Sequence, residues 1–134
     1  MTSVILLAVA CSNPKSVEQF APAGDAAEYS FTLDLRDTSV AYALSFYGRI
    51  DAGRDVLDTL TALPMTVCFT APDSTRYGET VSIPIHRDDP LSASFSVPYR
   101  RGMKPVLPGQ WQLTLTADHA PEGLHGVGII LSHD

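Results

Sequence analysis

The sequence predicts an all-β protein: one antiparallel two-sheet β-sandwich of about seven strands, immunoglobulin-like (Ig-like) or jelly-roll-like. Apolar residues recur at every second position in segment after segment, which is the spacing of a strand that buries one face. Turns between these segments are supplied by ten Pro and nine Gly, and amphipathic helical spacing is almost absent. A chain of 134 residues builds one core, so a single domain is expected.

The first clear strand covers residues 29–35, where Tyr29, Phe31 and Leu33 alternate with polar residues. Residues 40–50 form a longer run with apolar residues on both faces, which predicts a central strand. Leucines then recur at a three-residue spacing over residues 57–63, so a short helical turn or an irregular crossover is expected there.

Residues 65–69 and 81–85 alternate on either side of the turn Pro72-Asp73-Ser74 and predict a hairpin. Pro84 has no N–H to donate, so the second of these strands should lie at a sheet edge or carry a bulge. Residues 91–99, 111–117 and 127–131 supply the remaining strands. Trp111 shares a strand face with other apolar residues and is predicted to belong to the core.

The amino-terminal residues predict export and lipid anchoring. The apolar run from Val4 to Ala10 is too short to span a bilayer, which takes about 20 residues. Ala8-Val9-Ala10-Cys11 is similar to the lipobox cut by the bacterial lipoprotein signal peptidase, so residues 1–11 are predicted to be a signal segment that ends at the lipidated Cys11. Met1-Thr2-Ser3 lacks the usual basic residue, and the alternative is a first core strand with Cys11 as a buried thiol.

The rest of the chain divides into two parts. Residues 12–28 are predicted to be a tether and an edge segment around Val17 and Phe20, and residues 29–134 are predicted to form the β-sandwich domain. Cys68 lies in an alternating run and is interpreted as a small hydrophobic residue of a strand. With Cys11 acylated, no partner thiol remains for it.

Charge and motif content argue against several classes of function. A formal net charge of -6 opposes nucleic-acid binding. His119 and His125 are six residues apart, which is not a metal-ligand spacing, and residues 88–90 favour a charged turn. No Gly-x-Ser-x-Gly motif is present, and residues 123–128 lack the spacing of a dinucleotide loop and favour a flexible entry into the last strand. No catalytic residue, metal or cofactor is therefore predicted, and the protein is expected not to be an enzyme.

Arg100, Arg101 and Lys104 form a basic cluster in an acidic chain, within a segment that is predicted to be a hairpin loop. Such a cluster attracts lipid head groups or an acidic protein partner. These three residues are therefore predicted to contact a partner, and the alternative is a loop that is merely solvated.

Several segments carry a resemblance through their order and spacing. They are Ala10-Cys11-Ser12-Asn13, Val17-Glu18-Gln19-Phe20, Tyr29 to Thr38, Tyr47-Gly48-Arg49, Phe69 to Asp73 with Glu79-Thr80-Val81, Pro108 to Leu115, and Leu124 to Ile129. In this respect the chain resembles the gliding-motility lipoprotein GldH family of Bacteroidetes, as a divergent member. It departs from the family at Leu63-Pro64-Met65 and at Ile85-His86-Arg87-Asp88, where the family usually has an aromatic stretch and a Gly-Lys-Trp-rich loop.

The resemblance implies a non-enzymatic accessory or scaffold lipoprotein of the cell envelope. Its implied location is the membrane surface, facing the periplasm or the cell exterior, and its implied partners are envelope proteins of a motility or secretion complex. The alternative function is a carbohydrate-binding module of a surface lipoprotein, with Trp111, Tyr77 and Tyr99 as candidates for stacking on sugar rings. A hydrolase is a third class and has no positive support in the sequence.

Overall fold

The structure, a computed structural model, describes residues 15–133. The predicted signal segment and Cys11 lie outside these residues, so the lipobox and its alternative both stay predictions. Within the described range the strands are β1 (Ser16–Pro22), β2 (Glu28–Asp34), β3 (Tyr42–Asp51), β4 (Ala62–Thr70), β5 (Arg76–Pro84), β6 (His86–Asp89), β7 (Ser92–Met103), β8 (Gln110–Ala117) and β9 (Leu124–His133). A short helix, α1 (Arg54–Asp58), joins β3 to β4.

The strands form two antiparallel sheets, with the orders β1-β9-β3-β7-β6 and β2-β8-β4-β5. The predicted all-β sandwich of two sheets is therefore confirmed. The chain changes sheet at every connection except β4–β5 and β6–β7. When the short β6 is set aside, β1-β9-β3-β7 faces β2-β8-β4-β5, which is the jelly-roll alternative of the two predicted arrangements.

The alternating apolar residues of the predicted strands form the core between the sheets. β2 buries Tyr29, Phe31 and Leu33 on its inner face, and the facing strand β3 buries Leu44 and Phe46. β3 lies between β7 and β9, so its predicted central position is confirmed. The predicted hairpin of β4 and β5 is also confirmed, and β5 lies at a sheet edge, as the lack of an N–H at Pro84 requires.

Two strands, β1 and β6, lie in segments whose side chains show no alternating buried pattern. β1 pairs with β9 from Ser16 opposite Ser132, so the edge segment predicted around Val17 and Phe20 is an edge strand of the larger sheet, and the sandwich begins earlier than the expected start at Tyr29. β6 takes in Asp88 and Asp89 of the predicted charged turn, and the chain turns at residues 90–91, where Asp89 Oδ1 accepts a hydrogen bond from the Leu91 N–H at 2.8 Å. Both strands are edge strands with largely exposed side chains.

The entry into β9 is closely packed, so the expectation of a flexible segment there is wrong. Gly123 has φ +85, and a Cβ at this position would lie 2.0 Å from the Asp51 carbonyl oxygen. The Gly123 carbonyl also accepts a hydrogen bond from the Asp51 N–H at 3.0 Å. Glycine is required here because the backbone conformation and the close contact both exclude a side chain.

β7 is irregular at the predicted basic cluster. Ser45 pairs with Pro98 and Leu44 pairs with Arg100, so Tyr99 is an extra residue in the ladder, a β-bulge. Pairing with β3 nevertheless continues as far as Met103. The predicted hairpin loop is therefore wrong for Arg100 and Arg101, which lie on β7. The period-two pattern ends at Tyr99 because the bulge interrupts the alternation, although the strand itself goes on.

The helical turn expected over residues 57–63 lies earlier than predicted, and Leu63 lies on β4. Helix α1 ends at Asp58 and buries Leu57 against the core. It is five residues long. Within residues 15–133, no helix has the length and apolar character needed to cross a membrane.

Candidate functional site

The side of the sandwich between β5 and β7 is open and forms a groove, called here the β5–β7 groove. It has two adjoining parts of about 240 Å³ and 310 Å³, and Glu79, Tyr99 and Arg100 line both of them. Phe69 and Tyr77 line the smaller part. These volumes are at or just below the lower limit of about 300 Å³ for small-molecule sites, so the groove suits a small or extended ligand.

Aromatic rings form the floor of the groove. Tyr99 stacks on Phe46 with ring centroids 4.7 Å apart and on Phe69 at 6.2 Å. Tyr77 stacks on Trp111 at 5.8 Å and keeps 45% of its surface exposed. The buried rings of Phe46 and Trp111 thus support two tyrosine rings that a ligand in the groove can reach.

An ion pair between Glu79 and Arg100 joins β5 to β7 at the groove. Glu79 accepts a hydrogen bond from the Tyr99 hydroxyl, and its Oε2 also accepts one from Arg100 Nη2 at 2.6 Å. The Arg100 guanidinium lies 5.1 Å from the centroid of the Tyr99 ring, which is within range of a cation–π contact. Because Tyr99 is the extra residue of the bulge, it and its neighbour Arg100 both reach the groove.

The protonation states of these groups follow from their contacts. Burial, followed by the hydrogen bond to Glu79, raises the pKa of Tyr99 to about 12. The hydrogen bond from Tyr99 and the positive charge of Arg100 lower the pKa of Glu79. At neutral pH Tyr99 is therefore a neutral donor and Glu79 an anion. Neither pKa is near 7, where a general acid or base is most effective, so this arrangement suits binding better than proton transfer.

The structure separates the three residues that were predicted to contact a partner. Arg100 lines the groove and is paired with Glu79. Arg101 and Lys104 are exposed and are not among the residues that line either part of the groove. Glu79 is not among the predicted site residues, because it lies ahead of the alternating residues 81–85 and no local spacing marks it.

Trp111 is a core residue, as predicted. Its side chain is 6% exposed, and its Nε1–H donates to the Leu107 carbonyl at 2.8 Å. Tyr77 lies over it, so of the three aromatic residues considered for sugar stacking only Tyr77 and Tyr99 face the groove. Cys68 lies on β4, is half-buried and is a free cysteine.

The histidines do not assemble into a cluster of ligands. Within the part of the chain that the structure describes, no group of three or more His, Cys, Asp or Glu residues is arranged to hold a metal ion. His125 Nε2 lies 2.6 Å from Asp51 Oδ2. A depression of about 550 Å³ lies nearby, with Arg49, Asp51 and Arg54 among its lining residues, and Arg49 pairs with Asp51 across 3.2 Å.

No family model matches the sequence, and no curated relative is found. Among solved structures, a protein of Sulfurospirillum deleyianum is 7% identical, with a TM-score of 0.47, and the match covers 91% of this chain and 99% of that one. The GH115 4-O-methyl-α-glucuronidase BtGH115A is 12% identical, with a TM-score of 0.44, and the match covers 85% of this chain but 14% of the enzyme. A lipoprotein of Bacteroides thetaiotaomicron is 9% identical, with a TM-score of 0.25, over 87% of this chain and 78% of that one. At these values the likenesses transfer no activity to this chain, and they do not identify the GldH family.

Proposed function

We propose that this protein is a non-enzymatic accessory lipoprotein of a bacterial cell envelope, held at the membrane through Cys11 and related in role to the GldH lipoproteins. The observation that supports the proposal is the lipobox-like Ala8-Val9-Ala10-Cys11 directly ahead of a β-sandwich. β1 begins at Ser16, so an acylated Cys11 would hold the sandwich next to the membrane surface.

Mass spectrometry of the membrane fraction tests the anchor. The full chain, preceded by a complete signal sequence, is expected to yield a protein that begins at Cys11 and carries acyl chains. The Cys11→Ser variant should remain uncleaved and unlipidated. Stable attachment takes two acyl chains or more, because one chain binds membranes only marginally. Cys68→Ser is the matched control: it makes the same chemical change within β4 and should leave the lipid in place. A wild-type protein without acyl chains at Cys11 would refute the anchor.

The accessory role is tested by purifying the lipidated protein from envelopes solubilised in mild detergent. The proposal expects other envelope proteins to be recovered with it in constant proportion. Recovery of the protein alone, at every detergent and salt condition that preserves known envelope complexes in the same extract, would count against a scaffold.

A second candidate function is carbohydrate binding in the β5–β7 groove. It is favoured by one observation, the placement of Tyr77 and Tyr99 in the same groove beside Glu79 and Arg100. Flat aromatic faces stack on sugar rings, and a fixed carboxylate and guanidinium can hydrogen-bond sugar hydroxyls.

A glycan array followed by calorimetry tests this candidate. Tyr77→Ala should abolish binding of any glycan that the wild type retains, with little loss of stability because the ring is 45% exposed. Phe20→Ala is the control, since Phe20 is 49% exposed on β1, away from the groove. Equal loss of binding in both variants, or no glycan bound by the wild type, would reject the candidate.

A further inference from the structure

The strand register places one end of the sandwich next to the predicted anchor. Ser16 at the start of β1 lies opposite Ser132 near the end of β9, and Tyr42 at the start of β3 lies opposite both His133 and Met103. In the other sheet, the end of β2, the start of β8 and the turn between β4 and β5 lie at this same end, because the chain passes directly from β2 into β3 there. We call it the tether end.

The tether end is the basic end of an acidic protein. Its Lys and Arg residues are exposed, and they are Lys15, Arg36, Arg76, Arg101 and Lys104. Among the described residues the acidic side chains at this end are fewer: Asp34 pairs with Arg36, and Asp37 and Asp73 keep their charge while they accept backbone hydrogen bonds within their own turns. Among residues 15–133, no Asp or Glu lies within ion-pair distance of the other four basic side chains.

The opposite end is acidic. There Arg49, Arg54 and Arg87 are outnumbered by acidic residues of the loops and short elements, which include Asp51, Asp55, Asp58, Asp88 and Asp89. β3 spans ten residues between the two ends, so they are about 30 Å apart at roughly 3.3 Å per residue. This separation is several times the Debye length of about 8 Å at physiological ionic strength.

We propose that the tether end is a membrane-facing surface that binds the head groups of anionic phospholipids. The inference rests on the proposed anchor, because four residue steps from Cys11 to Lys15 reach at most about 14 Å. Within that reach Lys15 and the basic residues beside it can meet the lipid surface, whereas the acidic end is too far away for its repulsion to be felt. The head groups orient the sandwich, so that the β5–β7 groove lies along its side and stays open to the compartment.

Co-sedimentation with vesicles tests the surface independently of the anchor, because the full chain is used with Cys11→Ser and no acyl group is present. The protein is mixed with vesicles of phosphatidylcholine alone or of equimolar phosphatidylcholine and phosphatidylglycerol. Binding is expected only, or far more strongly, with phosphatidylglycerol, and it should weaken as salt is added. Any contribution of the apolar residues 4–10 is shared by both vesicle types and by every variant.

Charge reversal locates the surface. One basic side chain near an anionic leaflet contributes about fivefold in affinity, so Arg101→Glu with Lys104→Glu should weaken binding to the phosphatidylglycerol vesicles about 25-fold or more. Arg49→Glu with Arg54→Glu makes the same change in net charge at the acidic end and should weaken it far less. Both pairs are exposed, and unchanged melting curves will show that the variants fold.

Three outcomes would overturn the inference. The first is no preference for phosphatidylglycerol, and the second is an equal loss of vesicle binding in the two charge-reversed pairs. The third is that Arg101→Glu with Lys104→Glu keeps its vesicle binding but no longer recovers an acidic envelope protein. The last outcome would assign the surface to a protein partner. Failure of the anchor would appear separately, as a protein without acyl chains at Cys11 in the membrane fraction.

Discussion

Replacement of Trp111 provides a sharp test of the core. The side chain is 6% exposed, so Trp111→Ala removes almost a whole buried indole, for which the typical cost is about 3 to 5 kcal/mol. Trp111→Phe keeps an aromatic ring but loses the hydrogen bond to the part-buried Leu107 carbonyl, which costs about 0.5 to 1.5 kcal/mol. Domains of this kind have a total stability of about 5 to 15 kcal/mol, so the alanine variant should lose a large part of it.

Urea denaturation measures these losses as a lower midpoint at an unchanged slope, because the surface exposed on unfolding is nearly the same. Tyr77→Ala is the matched control. Its ring stacks on Trp111 from the exposed side, and its loss should cost about 1 kcal/mol. A free energy of unfolding that falls by less than about 1 kcal/mol in Trp111→Ala would refute the core assignment. If such a variant also lost glycan binding, the residue would belong to a ligand site.

Two further predictions concern the backbone and the pH dependence. Gly123→Ala should lower the free energy of unfolding by about 2 kcal/mol or more, since its Cβ would lie 2.0 Å from the Asp51 carbonyl oxygen at a backbone φ of +85. Gly24→Ala is the control: its Cβ would have no atom within 4 Å, so the change should be neutral or slightly stabilising. Equal denaturant midpoints for the two variants would contradict the packing at Gly123. The pKa of Glu79 is lowered from 4.5 in the folded state, so its contribution to stability is present above about pH 4.5 and is lost as the pH falls through the folded pKa. Tyr99→Phe removes the hydrogen bond that is the largest single cause of this shift, so the stability deficit of the variant against wild type in urea denaturation should shrink on acidification. A constant deficit would show that Glu79 is not the cause.

The strands that the sequence identifies are those that bury one face. In β2 and β8 each inward residue is apolar and each outward residue is polar or exposed, so the alternation is visible without any knowledge of the partner strand. β1 and β6 show no such alternation, so the sequence marks β1 only as an edge segment and does not mark β6 as a strand. β1 pairs through its backbone with β9, and its side chains, such as Val17 and Phe20, remain about half exposed. Backbone pairing leaves no pattern in the side chains.

The sequence identifies some residues of the β5–β7 groove one by one, but it does not predict that they lie together. Tyr77 and Tyr99 were recognisable as aromatic candidates, but their placement in one groove depends on how β5 and β7 lie across the open side of the sandwich. The pairing of Glu79 with Arg100 joins residues 21 apart in sequence on two different sheets. No local spacing encodes such a contact, because it arises only when the two sheets pack together.

The β-bulge at Tyr99 determines on which surface Arg100, Arg101 and Lys104 lie. In a strand without a bulge, the alternation from Phe95 and Val97 would place Tyr99 and Arg100 on opposite faces of β7. With it, Arg100 turns to the groove and is neutralised by Glu79, while Arg101 and Lys104 remain at the tether end without an ion pair among residues 15–133. A cluster that is continuous in sequence is therefore divided between two surfaces. The prediction of a single partner-contacting loop is replaced by two proposals: a groove whose charges are already paired, and a membrane-facing end whose charges are available for lipid.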